Sequence, residues 1–264
     1  MVHMQTLAQA REYFRIVKKS QFEGVVTELF DGHQQMLGSS GVHGVPEGQL
    51  GPQAFLVEQS PNWTLPTHFH LRNQFQVFIA GGGSLGKHPV EPVTIHYASA
   101  HSGYGPLQSG DQGISYFTLR AHNDVGAWYL PEAREQLNTR IKKQQAHATP
   151  RTRIDLAGLQ ALTAPSTEAL IEPDASGMAV WLMRLPPRTT ATPPPGLATS
   201  GGRFYVVSMG AIQVAEALMT GWAAVFVSSE EALDLTAGPE GAEVFVLQYP
   251  LIDAGLGLST ALPK

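Results

Sequence analysis

Residues 67–83 read THFHLRNQFQVFIAGGG. His68 and His70 stand two apart, an apolar run with two glutamines follows, and three glycines close the stretch. Side chains alternate faces along a strand, so i and i+2 point the same way. In an extended chain His68 and His70 share a face. Gln74 and Gln76 fall on that same parity. If the face lines the inside of a barrel, several nitrogen and oxygen donors converge there, and imidazole suits zinc, copper, iron and nickel. The same spacing also fits a wet sheet face with no metal.

The surrounding pattern is β-rich. Strand-like runs occur at 24–30 (GVVTELF), 54–60 (AFLVEQS), 75–80 (FQVFIA), 93–97 (VTIHY) and 113–121 (GISYFTLRA). They return at 178–185 (MAVWLMRL), 203–209 (RFYVVSM), 223–229 (AAVFVSS) and 242–250 (AEVFVLQYP), with a further run at 153–159 (RIDLAGL). Each is rich in β-branched or aromatic residues and bounded by turn formers. The 27 glycines and 19 prolines suit many short strands. Two helices are expected. One spans 5–19, with Leu7, Tyr13, Phe14 and Val17 as its stripe. The other spans 131–146, opening at Pro131. GGGSLG at 81–86 reads as a hairpin turn. It is not a phosphate loop, because no Gly-Lys-Ser/Thr follows.

Strands, a helix, then strands again divide the chain into two similar all-β domains, 1–147 and 148–264. Gln74 precedes Gly81 by seven residues through FQVFIA, as Arg203 precedes Gly210 through FYVVSM. This is a two-copy repeat.

At 264 residues, 43% hydrophobic and 15% charged, the chain can bury two cores. Net charge is -5, and the one basic run, RIKKQQAHATPRTR at 140–153, is short. No nucleic-acid footprint is present. No apolar stretch is long enough to span a bilayer, and the first residues lack a signal-peptide core. Cysteine is absent, which removes disulfides, thiolate catalysis and Cys-ligated metal. The expected setting is cytoplasmic. Five of the ten histidines crowd between 68 and 101, and none follows His147.

These residues resemble a known family. THFHLRNQFQVFIAGGG is similar to the first cupin motif: HxH, an acidic ligand, a short strand, then glycine. HYASAHSGYGP, at 96–106, is similar to the second, which supplies one more histidine. The resemblance implies two tandem jelly-roll barrels, a bicupin. It implies one divalent metal ion (Fe, Mn, Ni or Zn) held by His68, His70, Gln74 and His101. Gln74 stands where the family has a carboxylate, so the metal would keep its full charge and favour anionic ligands. His96 competes with His101 as the third histidine, or supports a ligand from behind. The implied activity is of dioxygenase, lyase or isomerase type on a small anionic organic substrate; the alternative is a non-catalytic binding or structural bicupin.

Tyr104 and Arg120 are the candidate catalytic residues. Tyr104 either donates a proton or packs the barrel mouth. Arg120 shares parity with Tyr116 and Thr118 and points inward, where its planar fork suits a carboxylate. Arg72, in a short turn, is expected in solvent, and His88 in a surface turn. Asn73 and Gln76 are expected to support the site. In the second domain Leu197, Thr199 and Arg203 replace His68, His70 and Gln74. That copy is expected to be structural, or to carry an anion pocket on Arg203. A homodimer through a sheet edge is expected, since open edges need cover.

Overall fold

Two antiparallel β-sheets dominate the computed structural model, which describes residues 2–31, 51–124, 126–195 and 200–250. Among these, 12–147 form one compact unit, and 2–11 with 148–250 form another. The expected first domain therefore differs at its start. Val2–Gln5 is extended and pairs antiparallel with Ala223–Val227, Val2 opposite Val227. Backbone hydrogen bonding along that edge assigns the N-terminal residues to the second barrel.

In the first unit the sheet runs, in spatial order, Gln145–Ala148, Ile95–Ala98, Gln74–Leu85, Leu107–Arg120, Gln53–Gln59, Glu23–Asp31 and Phe14–Lys18. Thr64–Leu65 and His88–Val90 add short edges, and His68–Phe69 pairs separately with Trp128–Tyr129. Val57, Phe78, Tyr104, Leu107 and Tyr116 form the barrel's apolar core. By the pleat, Gln53, Gln74, Gln76, Thr118 and Arg120 lie on the same face as that core. All five are buried.

In the second unit the order is Val2–Gln5, Ala223–Val227, Ser200–Val214, Leu235–Pro250, Ala179–Leu185 and Ser166–Ile171. Its core alternates along the strands: Trp181, Met183 and Leu185, then Tyr205 and Val207, then Ala242, Val244 and Val246. Both units are jelly-roll barrels, as the strand pattern indicated.

The helix expectations fail for physical reasons. Of residues 5–19 only Leu7–Ala10 is helical, opened by a capping box between Thr6 and Gln9. Phe14–Lys18 instead pairs with Glu23–Asp31, which suits its aromatic and β-branched residues. After Pro131 there is only a 3-10 turn, Arg134–Gln136, and Gln145–Ala148 is a strand. The predicted strand at 153–159 is replaced by the helix Leu156–Gln160, whose N-cap Asp155 accepts from the Gly158 N–H at 2.8 Å. The glycines at 81–83 do not turn the chain; they lie inside the strand Gln74–Leu85.

Candidate functional site

The site is built from strand edges. His68 and Tyr104 bridge through their backbones, the His68 N–H donating to the Tyr104 carbonyl (3.1 Å) and the reverse bond spanning 2.9 Å. This sets two aromatic side chains face to edge, ring centres 4.5 Å apart. Arg120 lies opposite Gln53 in the register of its strand pair. On the other flank, Leu119 opposes Phe75 and Thr118 opposes Gln76, which places Gln74 across from Arg120. A guanidinium therefore stands between two glutamines.

The hydrogen bonds run in one direction. Arg120 donates to Gln74 Oε1 from Nη2 (2.8 Å) and Nε (3.2 Å), and to Gln53 Oε1 from Nη1 (2.5 Å). Because a guanidinium only donates, the Gln74 oxygen must face it. The Gln74 amide then donates to the Tyr104 hydroxyl at 2.5 Å. The Tyr104 proton is left for His68 Nε2 at 2.9 Å, and His68 Nδ1–H donates to the Pro66 carbonyl at 2.7 Å. One permanent charge thus sets the tautomer of a histidine three bonds away.

His70 is oriented separately. Its Nδ1 lies 3.0 Å from Asp124 Oδ2, which also accepts from the Leu71 N–H at 3.1 Å. Arg120 Nη2 lies 3.1 Å from the same Nδ1 and 3.4 Å from Nε2, and the ring also bonds the Gly126 backbone, so His70 is held from three sides. Burial holds His68 neutral, its pKa pushed down to about 3, with His70 and Arg120 adding to the effect. His70 is lowered as well, first by burial and then by the Arg120 charge, against the pull of Asp124. Burial raises Tyr104 far into its protonated range.

Arg120 is 2% exposed and stands 5.5 Å from the Phe55 ring centre. Its bonded partners are all neutral: two glutamines and an imidazole. Among the described residues no carboxylate makes an ion pair with it. The buried carboxylate of Asp124 reaches it only through the His70 ring, whose Nδ1 lies 3.0 Å from Asp124 Oδ2 and 3.1 Å from Arg120 Nη2.

The expected metal ligands are only partly gathered. His68 and His70 lie 5.3 Å apart, ring to ring. The Gln74 oxygen is taken up by Arg120. His101 lies on the other side of the chain: its ring stacks on Phe69 at 5.6 Å, and its Nδ1 accepts from the Asn138 N–H at 3.2 Å. Phe69 sits between His68 and His70, so by alternation it faces away from both. His96 is held by Gln76 Oε1 at 2.8 Å and stacks on His147 at 4.6 Å, which in turn stacks on His88 at 4.3 Å. Among the described residues no three His, Asp or Glu side chains are grouped to hold a metal ion. In this arrangement the residues do not fit a divalent cation, because a fixed positive group occupies their oxygen donor.

Other expectations resolve individually. Asn73 is buried and its Oδ1 accepts from the Ala100 N–H at 2.9 Å, next to His101. Arg72 is not in open solvent: its Nε and Nη1 are buried. His88 is exposed, at the start of the short strand His88–Val90 rather than in a turn. Leu197 and Thr199 lie outside the described residues. Gln53 and Asp124 escaped the sequence reading. Gln53 became visible only through strand register, and Asp124 carries no motif at all.

No known protein-family profile and no curated protein matches this chain. Solved structures do. A bacterial pirin from Escherichia coli, solved in complex with nickel(II), matches at TM-score 0.55 and 11% identity, over 96% of this chain and 100% of that one. A salicylate 1,2-dioxygenase variant from Pseudoaminobacter salicylatoxidans, in complex with gentisate, matches at 0.53 and 13%, over 97% and 82%. Oxalate decarboxylase from Bacillus subtilis, with Mn(II) centres, matches at 0.52 and 9%, over 94% and 76%. At such identities the likeness concerns architecture. Two jelly-roll barrels, an HxH strand and these structural neighbours together show that the chain has the cupin fold.

Proposed function

We propose that the first barrel binds a small organic anion through Arg120, and that His70 serves as the base acting on it. The observation that supports this is the buried guanidinium with neutral partners only. A carboxylate that accepts from the Nη1–H left by Gln53, or that displaces one of the glutamines, would give it a directly bonded counter-charge, in a setting where charge-assisted bonds are strong. His70, oriented by Asp124 and lowered in pKa by burial, stands neutral beside that fork. It can take a proton from the carbon next to the carboxylate, leaving the electron pair on an enolate that Arg120 stabilises. Such a step belongs to lyase or isomerase chemistry.

The test is ligand-observed NMR with a panel of mono- and dicarboxylates in deuterated buffer. The expected result is binding that Arg120→Gln abolishes, with deuterium entering beside the carboxylate of a bound ligand. His70→Gln should keep the binding and lose the exchange. Carboxylate binding that persists in Arg120→Gln would overturn the proposal.

A second reading, a metal-dependent enzyme of dioxygenase type, is favoured by the closeness of the neutral His68 and His70. It requires Arg120 to release Gln74 and a third ligand to join. About one metal per chain by elemental analysis, lost in His68→Ala/His70→Ala, would select it over the anion site.

A further inference from the structure

The second barrel repeats the guanidinium of the first with the strands exchanged. In the first barrel, Gly81 and Gly113 approach so closely that a Cβ on Gly81 would lie 2.2 Å from the Gly113 carbonyl oxygen. Gln74 lies seven residues before Gly81, and Arg120 seven after Gly113. In the second barrel, Gly210 and Gly241 make the same approach, also at 2.2 Å. Arg203 lies seven before Gly210, and Gln248 seven after Gly241. Arg203 and Gln248 are register partners. The pair is therefore Gln–Arg in one barrel and Arg–Gln in the other.

The supporting ring is matched too. Phe55 opposes Thr118, two residues before Arg120, and Trp181 opposes Val246, two before Gln248. Arg203 stands 5.4 Å from the Trp181 ring centre. Its Nη2 and Nε donate to Gln248 Oε1 at 2.6 and 2.9 Å. Gln248, fully buried, is fixed by its own bond to the Gly177 carbonyl at 2.5 Å.

The two copies differ in access. Arg203 is half-buried and borders a cleft of about 220 Å³, lined among others by Tyr205, Thr192, Ser228, Glu231 and Asp234. Among the described residues Arg203 makes no ion pair. Gln248 takes two of its five donors and the Tyr205 hydroxyl bonds it as well, which leaves two N–H groups of the guanidinium for a ligand among the described residues. A plain anion would meet the two acids of the same cleft, Glu231 and Asp234. Asp234 is already positioned there, accepting from the Thr192 hydroxyl at 2.8 Å. A ligand with both charges answers Arg203 and Asp234 together.

We propose that the second barrel binds a small zwitterion of the amino-acid class, its carboxylate on Arg203 and its ammonium toward Asp234. The site is separate from the one assigned to Arg120 and does not depend on it. The cleft is small for an organic ligand, which limits the occupant to a single amino-acid-sized molecule.

The experiment is titration calorimetry on the full chain with glycine, alanine, leucine and phenylalanine, each beside its analogue lacking the amine and its analogue lacking the carboxylate. At least one amino acid should bind tenfold or more tighter than both of its analogues. Each titration is repeated in Arg120→Gln, which removes the carboxylate site proposed for the first barrel; in that background the amino acid should still bind, and a further Arg203→Gln should weaken it at least tenfold. Asp234→Asn, an exposed change that does not threaten folding, should weaken the amino acid but not the analogue lacking the amine. No binding by any amino acid, equal binding by the amine-free analogues, or indifference to Asp234→Asn would overturn the proposal. Should Arg203→Gln fail to fold, the Asp234→Asn comparison decides alone.

Discussion

The polar chain from Arg120 through Gln74 and Tyr104 to His68 is cooperative by construction. Each group fixes the orientation of the next, so the loss of one member is felt by all. Gln74→Leu leaves the Arg120 Nε without a partner and removes the donor to Tyr104. We expect it to destabilise the fold by about 2–3 kcal/mol, as for unsatisfied buried polar groups next to a charge. Urea denaturation against the native protein measures this. The pH dependence follows from His68, whose folded pKa of about 3 lies below its ordinary 6.5. Between those values the unfolded chain takes up a proton that the folded chain refuses. Stability is therefore full above pH 6.5 and falls as the pH drops toward 3, by about 1.4 kcal/mol per pH unit for one such proton. His70 acts in the same sense. Unfolding midpoints at pH 7, 6, 5 and 4 should fall steeply, and more shallowly in His68→Gln; equal slopes would show that His68 is not buried neutral.

Among the elements, the long strands depend on glycine where they approach each other. Gly81 has a φ of +68°, and any Cβ there collides with the Gly113 carbonyl. Gly81→Ala should cost about 2–4 kcal/mol, combining left-handed strain with the clash. Its neighbour is a control: a Cβ on Gly82 would meet only the Val90 carbonyl oxygen, at 3.5 Å. Gly82→Ala should change stability by less than about 1 kcal/mol. Thermal unfolding of the two variants separates these outcomes, and equal losses would contradict the strand reading of residues 81–83. The glycines were visible in the sequence as a cluster. Their role was not, because a turn and a close strand approach call for the same residue.

On the scale of the whole molecule, the N-terminal strand belongs to the barrel formed by 148–250. Its pairing with Ala223–Val227 gives that strand one of its two neighbours. Deleting residues 2–6 should speed amide exchange across 223–227, while exchange across 74–80 stays as it was. Hydrogen exchange read by mass spectrometry checks both segments. Fold class was legible in the chain from alternation alone: apolar runs with period two, glycine and proline between them, repeated in two halves. The HxH pair and the inward parity of Arg120 were legible for the same reason, since side-chain direction along a strand is a local property. The partners of these residues were decided only in three dimensions. Gln53 meets Arg120 through strand register, and Asp124 meets His70 across 54 positions of chain. His101 goes to the Phe69 side because it sits in a turn with a φ of +57°, its N–H bonded to the His70 carbonyl at 2.7 Å. Sequence spacing determines which face a side chain takes; only tertiary packing determines what faces it, because the contacts that set charge, tautomer and ligand come from strands distant along the chain.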